Sequence, residues 1–257
     1  MNPMISHSSL FSYNFSTLSL KETIALIINK ALKKESSSVC VCNVHMVVEA
    51  KKDSEFAPVL RNADLVVLDG MPLVWSLRLL KGIKAERIAG VHLMHGILER
   101  AKENPALAIY IYGSTSYVLD KAKRFIKNNY PNINLVGAYA PPFRALTTAE
   151  EEAVVGNINN SGANIVFVAL GCPKQEKWIA AMTGRIPAVM LGIGIALEVL
   201  TYQQARTPVW MEKMGLEWLF RLLKEPKRLF KRYLFTNSYF LFLFIKTALR
   251  KIFGYTY

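Results

Sequence analysis

The stretch IVFVALGCPKQE, residues 165–176, is the clearest indication of the fold of this 257-residue chain. Its apolar run, Ile165 to Leu170, predicts a buried strand, and Gly171, Cys172 and Pro173 predict the turn that ends it. In open α/β sheets ligands bind outside the carboxyl ends of the strands, so this loop is a candidate binding site. The alternative is that it forms only a tight turn before a helix that starts near Lys174.

Similar apolar runs recur along the chain and alternate with segments of helical period. The predicted strands are Val39 to Val44, Leu65 to Leu68, Ala108 to Tyr112, Leu135 to Tyr139, Ile165 to Leu170 and Ala188 to Leu191. The predicted helices are a segment reaching Leu60, Leu73 to Leu80, Val91 to Ala101 and Tyr117 to Asn128. Strands that alternate with helices in this way predict βαβ units. The predicted fold class is therefore α/β, a Rossmann-like parallel sheet with helices on both faces.

Two parts are predicted, an α/β core of residues 1–205 and a basic, aromatic helical appendage of residues 206–257. The hydrophobic content of 52% is ample for such a core. After Arg206 the sequence reads as continuous helix, and Pro226 is expected to start a new one. Five apolar side chains are expected close to one face: Trp210, Met214, Trp218, Leu222 and Leu229. Between Arg221 and Tyr257, nine Lys or Arg residues accompany one acid, so an anionic partner is expected.

The appendage also carries the apolar run Tyr239 to Ile245. A helix that spans a bilayer needs about 20 apolar residues, and Lys246 interrupts this run, so contact with a membrane surface is predicted instead. The dense aromatic side chains disfavour a nucleic-acid partner, although charge alone leaves one open. A further alternative is that the run packs on the chain's own core or on a second subunit, which leaves homo-oligomerisation open.

The cysteines and the N-terminus restrict the compartment. Cys40, Cys42 and Cys172 have neither a zinc-finger nor a redox spacing, so reduced thiols and no metal site are expected. Before Lys21 there is no basic residue and no long apolar run, which argues against a secretory signal peptide. The chain is expected on the cytoplasmic side.

Asp69 is the candidate general base, because it follows the strand Leu65 to Leu68 and is flanked by apolar residues. Burial at such a place raises the pKa of a carboxyl group. The alternative is a turn or a helix cap before Pro72. The four Asp residues include no Asp-x-Asp pair, the metal-diphosphate signature of many sugar transferases. Polar groups in comparable positions are Asn43, His45, Arg87 and Gln175, although a histidine such as His45 is more often structural.

Several short motifs, taken in order, resemble those of the WecG/TagA/CpsF glycosyltransferases (glycosyltransferase family 26). They are Asn43-Val44-His45, Asp69-Gly70-Met71-Pro72, Glu86-Arg87-Ile88-Ala89-Gly90, Gly171-Cys172-Pro173-Lys174-Gln175-Glu176, Gly192-Ile193-Gly194, Arg206-Thr207-Pro208 and Gly215-Leu216-Glu217-Trp218-Leu219-Phe220-Arg221-Leu222, continuing into Glu225-Pro226, Arg228 and Arg232-Tyr233. Each motif is short, but their joint order over residues 40–235 is specific.

The resemblance implies an inverting, metal-independent transfer of a sugar from a UDP-sugar to a polyprenyl-diphosphate-linked saccharide. The sugar would be of the N-acetylmannosamine type, its uronic acid or a hexose, and no cofactor is implied. Such an enzyme works peripherally on the inner face of the cell membrane. Asp69 matches the family's proposed general base. The substrate-binding residues expected around it are Asn43, His45, Arg87, Gln175, Arg221, Arg228 and Arg232, of which the tail arginines would neutralise the UDP diphosphate.

A nucleotide site is expected at the strand ends and the loops that follow them. Its expected residues are Gly113, Ser114, Gly171, Pro173, Gly192, Gly194 and Glu198. Two of the departures from the family pattern are Val41, where the family usually has Thr, and Leu197-Glu198, where it usually has Phe-Asp. The overall pattern is closer to the exopolysaccharide-type members.

Two other classes remain as alternatives. The first is a non-enzymatic nucleotide-binding or nucleic-acid-binding module with a basic anchor, which would need no base at Asp69. The second is a Rossmann oxidoreductase. Against it, Gly113-Ser114-Thr115 and Gly192-Ile193-Gly194 both lack the Gly-x-Gly-x-x-Gly spacing of dinucleotide sites.

Overall fold

A computed structural model describes residues 6–202 and 205–253. The strands are β1 (His7–Leu10), β2 (Tyr13–Ser16), β3 (Ser37–Cys42), β4 (Leu65–Leu68), β5 (Ala108–Gly113), β6 (Asn134–Tyr139), β7 (Ile165–Ala169) and β8 (Val189–Gly192). The helices are α1 (Leu20–Leu32), α2 (Val44–Lys52), α3 (Phe56–Asn62), α4 (Met71–Lys81), α5 (Gly90–Glu103), α6 (Ser116–Asn129), α7 (Thr148–Asn160), α8 (Lys174–Met182), α9 (Ala196–Leu200), α10 (Val209–Lys213), α11 (Glu217–Lys224) and α12 (Pro226–Ile252).

Strands β3 to β8 form one parallel sheet in the order β4-β3-β8-β7-β5-β6. At β3 the order of the strands in the sheet changes direction relative to their order in the chain. Its neighbour on one side is β4, with Val41 opposite Val67, and on the other side β8, with Val39 opposite Leu191. Because all six strands run the same way, their carboxyl ends meet at one edge of the sheet. Crevices that bind ligands open at such reversals.

Both faces of the sheet are buried, as the near-continuous apolar strands predict. In β3, Val39 and Val41 pack into the core under α1, α5 and α6. Their neighbours Cys40 and Cys42 point to the opposite face and pack with α2 and α4. The predicted α/β class with helices on both faces is confirmed.

The predicted strand Val39 to Val44 is wrong at both ends, because β3 runs from Ser37 to Cys42. Asn43 instead caps α2, and its side-chain oxygen accepts the Met46 backbone N–H at 3.2 Å. The apolar Val44 therefore belongs to a helix. The segment reaching Leu60 is two helices, because Asp53 ends α2 and its carboxylate accepts the backbone N–H groups of Glu55 and Phe56.

An N-terminal hairpin, β1 and β2, is an element that the sequence did not indicate. Leu10 pairs with Tyr13, so the turn contains only Phe11 and Ser12, at φ values of 54° and 70°. Two-residue turns of this kind favour Asn and Gly, and a Phe-Ser pair carries no such signal. The turn is held by packing, since Phe11 is buried and its ring lies 5.5 Å from that of Phe240.

The tail is not one continuous helix but three, α10, α11 and α12. The chain reverses at Gly215, whose φ is +71°, and again before Pro226, which begins α12 as predicted. The predicted common apolar face is wrong: Leu229 is buried, whereas Trp210 and Met214 are exposed. The predicted boundary after residue 205 adjoins Gln203 and Gln204, which lie outside the described residues, as do positions 254–257 of the basic segment.

Helix α12 packs against α2 and α4. Within the run Tyr239 to Ile245, Phe240 is buried and Tyr239, Leu243 and Phe244 join the same core, so part of the run does pack on its own chain. Its other members, Leu241, Phe242 and Ile245, are exposed. Among the helices described, none is long and apolar enough to cross a membrane.

Candidate active site

A cleft of about 850 Å³ opens at the carboxyl edge of the sheet, between the ends of β3, β4, β7 and β8 and the tail helices α11 and α12. It brings together most of the residues singled out from the sequence. These are Asn43, His45, Asp69, Arg87, Gly171, Gln175, Gly192, Gly194, Arg221, Arg228 and Arg232.

Asp69 lies at the centre of this cleft, one residue beyond β4. Its backbone N–H donates to the Cys42 carbonyl at 2.8 Å, which extends the pairing of β4 with β3 by one residue and fixes the position of Asp69. The side chain is 21% exposed and accepts a hydrogen bond from the amide of Asn43. Asn43 therefore both caps α2 and orients the carboxylate. The alternative that Asp69 caps a helix does not hold, because Gly70 is the N-cap of α4.

Two arginines and a glutamate surround Asp69. Arg87 donates from Nε to the Asp69 carbonyl oxygen at 2.6 Å, and its Nη2 lies 3.8 Å from the Asp69 carboxylate. The same Nη2 pairs with Glu217 of α11, and the other oxygen of Glu217 pairs with Arg221. The Glu217 carboxylate thus links Arg87 of the core to Arg221 of the tail, which holds α11 over the carboxyl edge of the sheet.

The environment raises the pKa of Asp69 from 3.8 to about 6. Burial is the largest cause, and the negative charge of Glu217 raises the pKa further. The positive charges of Arg87 and Arg221 and the hydrogen bond from Asn43 lower the pKa and offset part of this rise. A carboxyl group with this pKa is ionised at neutral pH and still basic enough to take a proton from a hydroxyl group as that hydroxyl attacks.

Gln175, on the first turn of α8, joins two loops of the cleft. Its side-chain oxygen accepts the backbone N–H of Gly171 at 3.2 Å and that of Gly194 at 3.0 Å. Its amide donates to the buried Glu176, whose pKa is raised by burial. Gly192 leaves room for this side chain, since an added Cβ would lie 2.8 Å from the Gln175 amide nitrogen. Gln175 therefore sets the spacing of the loops after β7 and β8.

Four residues of the predicted nucleotide site, Gly113, Ser114, Pro173 and Glu198, do not line the cleft. Gly113 is needed for close packing inside the protein, because an added Cβ would lie 2.6 Å from the backbone of Ala169. Ser114 donates to Glu198 at 3.2 Å. Their proposed contact with nucleotide stays a prediction.

Two histidines on α5, His92 and His95, have different partners. His92 lies 3.7 Å from Glu212, and burial lowers its pKa most strongly. The Nδ1 atom of His95 is hydrogen-bonded to Tyr130 at 2.6 Å. Within residues 6–202 and 205–253, no group of three or more His, Cys, Asp and Glu side chains could hold a metal ion.

Glu217 is the site residue that the sequence reasoning missed. It lies inside the motif from Gly215 to Leu222, where only Arg221 was given a role. Its spacing of four residues from Arg221 on a helix was an available signal, because such pairs meet on one helix face. Its contact with Arg87, 130 residues away, had no signal in the sequence.

Two comparisons with known proteins bear on the family of this chain. A family model described as the Glycosyl transferase WecG/TagA/CpsF family matches residues 8–253. The chain is also 30% identical over 192 residues to an N-acetylglucosaminyldiphosphoundecaprenol N-acetyl-beta-D-mannosaminyltransferase of Staphylococcus aureus (strain MW2). That similarity covers 74% of this chain and 73% of the relative.

Proposed function

Because the chain belongs to the WecG/TagA/CpsF family of glycosyltransferases, we propose that it transfers a sugar from a UDP-sugar to a saccharide carried on a polyprenyl diphosphate. Family membership makes it an enzyme, so the non-enzymatic module and the oxidoreductase no longer apply. The activity that names the staphylococcal relative favours an N-acetylmannosamine-type donor and an N-acetylglucosaminyl-diphosphate-lipid acceptor. The uronic acid of N-acetylmannosamine and a hexose, each carried on UDP, remain the other candidate donor sugars.

The observation that carries the proposal is the partly buried Asp69 carboxyl, with its pKa of about 6, beside Arg87 and Arg221. In the proposed step, the Asp69 carboxylate takes the proton of an acceptor hydroxyl while the hydroxyl oxygen forms a bond to the anomeric carbon. The bond from that carbon to the diphosphate oxygen breaks at the same time, and its electron pair leaves with UDP. A single displacement of this kind inverts the anomeric configuration.

The departing UDP gains negative charge that must be stabilised. Arg87 and Arg221 are suited to this, because guanidinium groups pair with phosphate oxygens through two parallel hydrogen bonds. Glu217 must then give up part of its contact with them when the diphosphate binds. Since the arginines supply the positive charge and the sequence has no Asp-x-Asp pair, we propose that the reaction needs no metal.

The test is release of UDP from a panel of donors, namely UDP-N-acetylmannosamine, its uronic acid, UDP-glucose and UDP-glucuronate. Each is mixed with the full chain, a short-chain polyprenyl-diphosphate N-acetylglucosamine and EDTA. The proposal predicts release from one donor class that requires the acceptor and survives EDTA, and an inverted anomeric centre in the product by NMR. Release without acceptor dependence, a requirement for added Mg²⁺ or retention of configuration would each contradict one of its parts.

We also propose that the enzyme works peripherally on the inner face of the membrane, where such an acceptor is embedded. The outer face of α12 supports this, because Leu241, Phe242 and Ile245 are exposed and lie among Lys246, Arg250 and Lys251. The full chain should sediment with vesicles that contain anionic lipid. A Leu241→Ser/Phe242→Ser variant should sediment less, and equal sedimentation of the variant would contradict this placement.

A further inference from the structure

Arg232, on α12, is a cation of the cleft that forms no ion pair with any described carboxylate. Arg87 and Arg221 share Glu217, and Arg228 pairs with Glu225. The Nε of Arg232 by contrast is shielded from solvent and has no hydrogen-bond partner in the part of the chain that the structure describes, and the guanidinium lies 5.4 Å from the centre of the Tyr233 ring. Shielding a charged donor without a partner is costly. An anionic ligand would satisfy it.

A second part of the cleft wall also favours an anion. It is formed by the start of α2, where Asn43, Val44 and His45 line the cleft. The first turn of α2 holds no acidic residue, and the N-terminus of a helix carries partial positive charge. The nearest carboxylate to the His45 ring, that of Glu49, is 3.7 Å from Nδ1, and Lys52 adds a further positive charge nearby.

Beyond Arg232 the cleft continues along α12 and ends on apolar side chains. From Arg232 onward, the residues of this helix that line it are Arg232, Tyr233, Thr236, Asn237, Phe240 and Leu241. From the first to the last of these, the helix advances about 14 Å at 1.5 Å per residue. Leu241 is 57% exposed, so the groove opens onto the apolar outer face of α12.

From Asp69 outward, the cleft therefore presents a base, then an unpaired cation, then an apolar groove. This order matches the order of parts in a lipid-linked acceptor, which are sugar, diphosphate and prenyl chain. A UDP-sugar has no apolar chain to occupy the last part. We propose that Arg232, together with the start of α2, binds the diphosphate of the acceptor, at a place separate from the donor diphosphate at Arg87 and Arg221. This inference rests on the proposed function and gives each diphosphate its own cations.

The test measures the binding of two probes to the full chain by calorimetry, with UDP for the donor site and farnesyl diphosphate for the acceptor site. Arg232→Gln should weaken farnesyl diphosphate about tenfold and leave UDP within twofold, because one charge-assisted contact is lost. Arg221→Gln should show the opposite pattern. The control is Arg124→Gln, an exposed arginine on α6 that does not line the cleft, which should change neither.

Two further measurements distinguish loss of the diphosphate contact from a change in the apolar groove. Arg232→Lys should recover part of the affinity, and farnesol, which has no diphosphate, should bind wild type and Arg232→Gln alike. The proposal is overturned if Arg232→Gln weakens UDP as much as farnesyl diphosphate, if it weakens farnesol equally, or if wild type does not bind farnesyl diphosphate. None of these measurements requires turnover, whereas the proposed function fails when no donor gives acceptor-dependent release of UDP.

Discussion

Replacing Glu217 with Gln should move the acid limb of the activity profile to lower pH. A base at Asp69, as we propose, works only when ionised, so activity should fall as the pH drops through its pKa of about 6. Glu217 is one of the groups that raise this pKa, and glutamine keeps its shape without its charge. Without that charge the Asp69 carboxylate is easier to form, and Arg87 and Arg221 act on it more strongly.

The contact distances bound the size of the effect. Both carboxylates approach Nη2 of Arg87, with Asp69 at 3.8 Å, which places them within about 6 Å of each other. At an effective dielectric constant of about 20, two like charges at about 6 Å repel by about 3 kcal/mol, equal to about 2 pH units. Because two arginines lie beside the same charges, we expect about half of this, a fall of about one unit.

The assay is kcat/KM for sugar transfer between pH 4.5 and 8.5, which reports groups of the free enzyme. At pH 5 a fall of one unit raises the ionised fraction of Asp69 from about a tenth to about a half. After each profile is normalised to its own plateau, Glu217→Gln should therefore be about fivefold more active than wild type at pH 5. The plateau itself should drop, because Arg221 loses its anchor.

Glu212→Gln is the matched control, because Glu212 also lines the cleft but is not among the groups that shift the pKa of Asp69. Its normalised profile should overlay that of wild type. An unchanged acid limb in Glu217→Gln, or a limb that moves to higher pH, would refute the electrostatic reasoning about Asp69.

Three further predictions concern the scaffold of the site. Gln175→Leu leaves the N–H groups of Gly171 and Gly194 without their acceptor, so it should lower the free energy of unfolding by about 1–3 kcal/mol in urea titrations and weaken UDP binding by calorimetry. Gly215→Ala places a Cβ 2.8 Å from the Trp75 ring, and should lower the Tm more than Gly162→Ala, which has a similar φ and nothing within 4 Å. Phe240→Ala opens a cavity against Phe11 and should speed proteolytic cleavage within α12, whereas the exposed Phe242→Ala should not; equal rates would contradict the packing of α12 on the core.

The parallel sheet was predictable because buried parallel strands are apolar on both faces. Leu65 to Leu68 matched β4 at both ends, since Asp64 and Asp69 flank the run with charge. The same use of apolar runs assigned Val44 wrongly to β3, because an apolar residue at the start of a helix cannot be told from a strand residue by its hydrophobicity. The hairpin at Phe11 could not be predicted, because its turn depends on tertiary packing and contains no turn-forming residues.

The residues on the strand ends were also predictable. Asn43, Asp69 and Gln175 each follow a recognisable strand, and parallel strands place their ends together. The link from Glu217 to Arg87 joins α11 to the core, and nothing local in the sequence specifies how a tail folds back. The same holds for Arg232, which has no carboxylate partner among the described residues, because this emerges only when α12 is placed beside α2.

Asp69→Asn in a single-turnover assay, with excess full chain, the active UDP-sugar and the prenyl-diphosphate acceptor, tests whether Asp69 is the base of the transfer. The amide is similar in size and cannot accept the proton, and general base catalysis contributes about 10²–10⁴-fold. We expect UDP affinity within about threefold of wild type and transfer slower by at least about a hundredfold. Transfer at a rate near that of wild type, with the same acceptor dependence, would show that Asp69 is not the base.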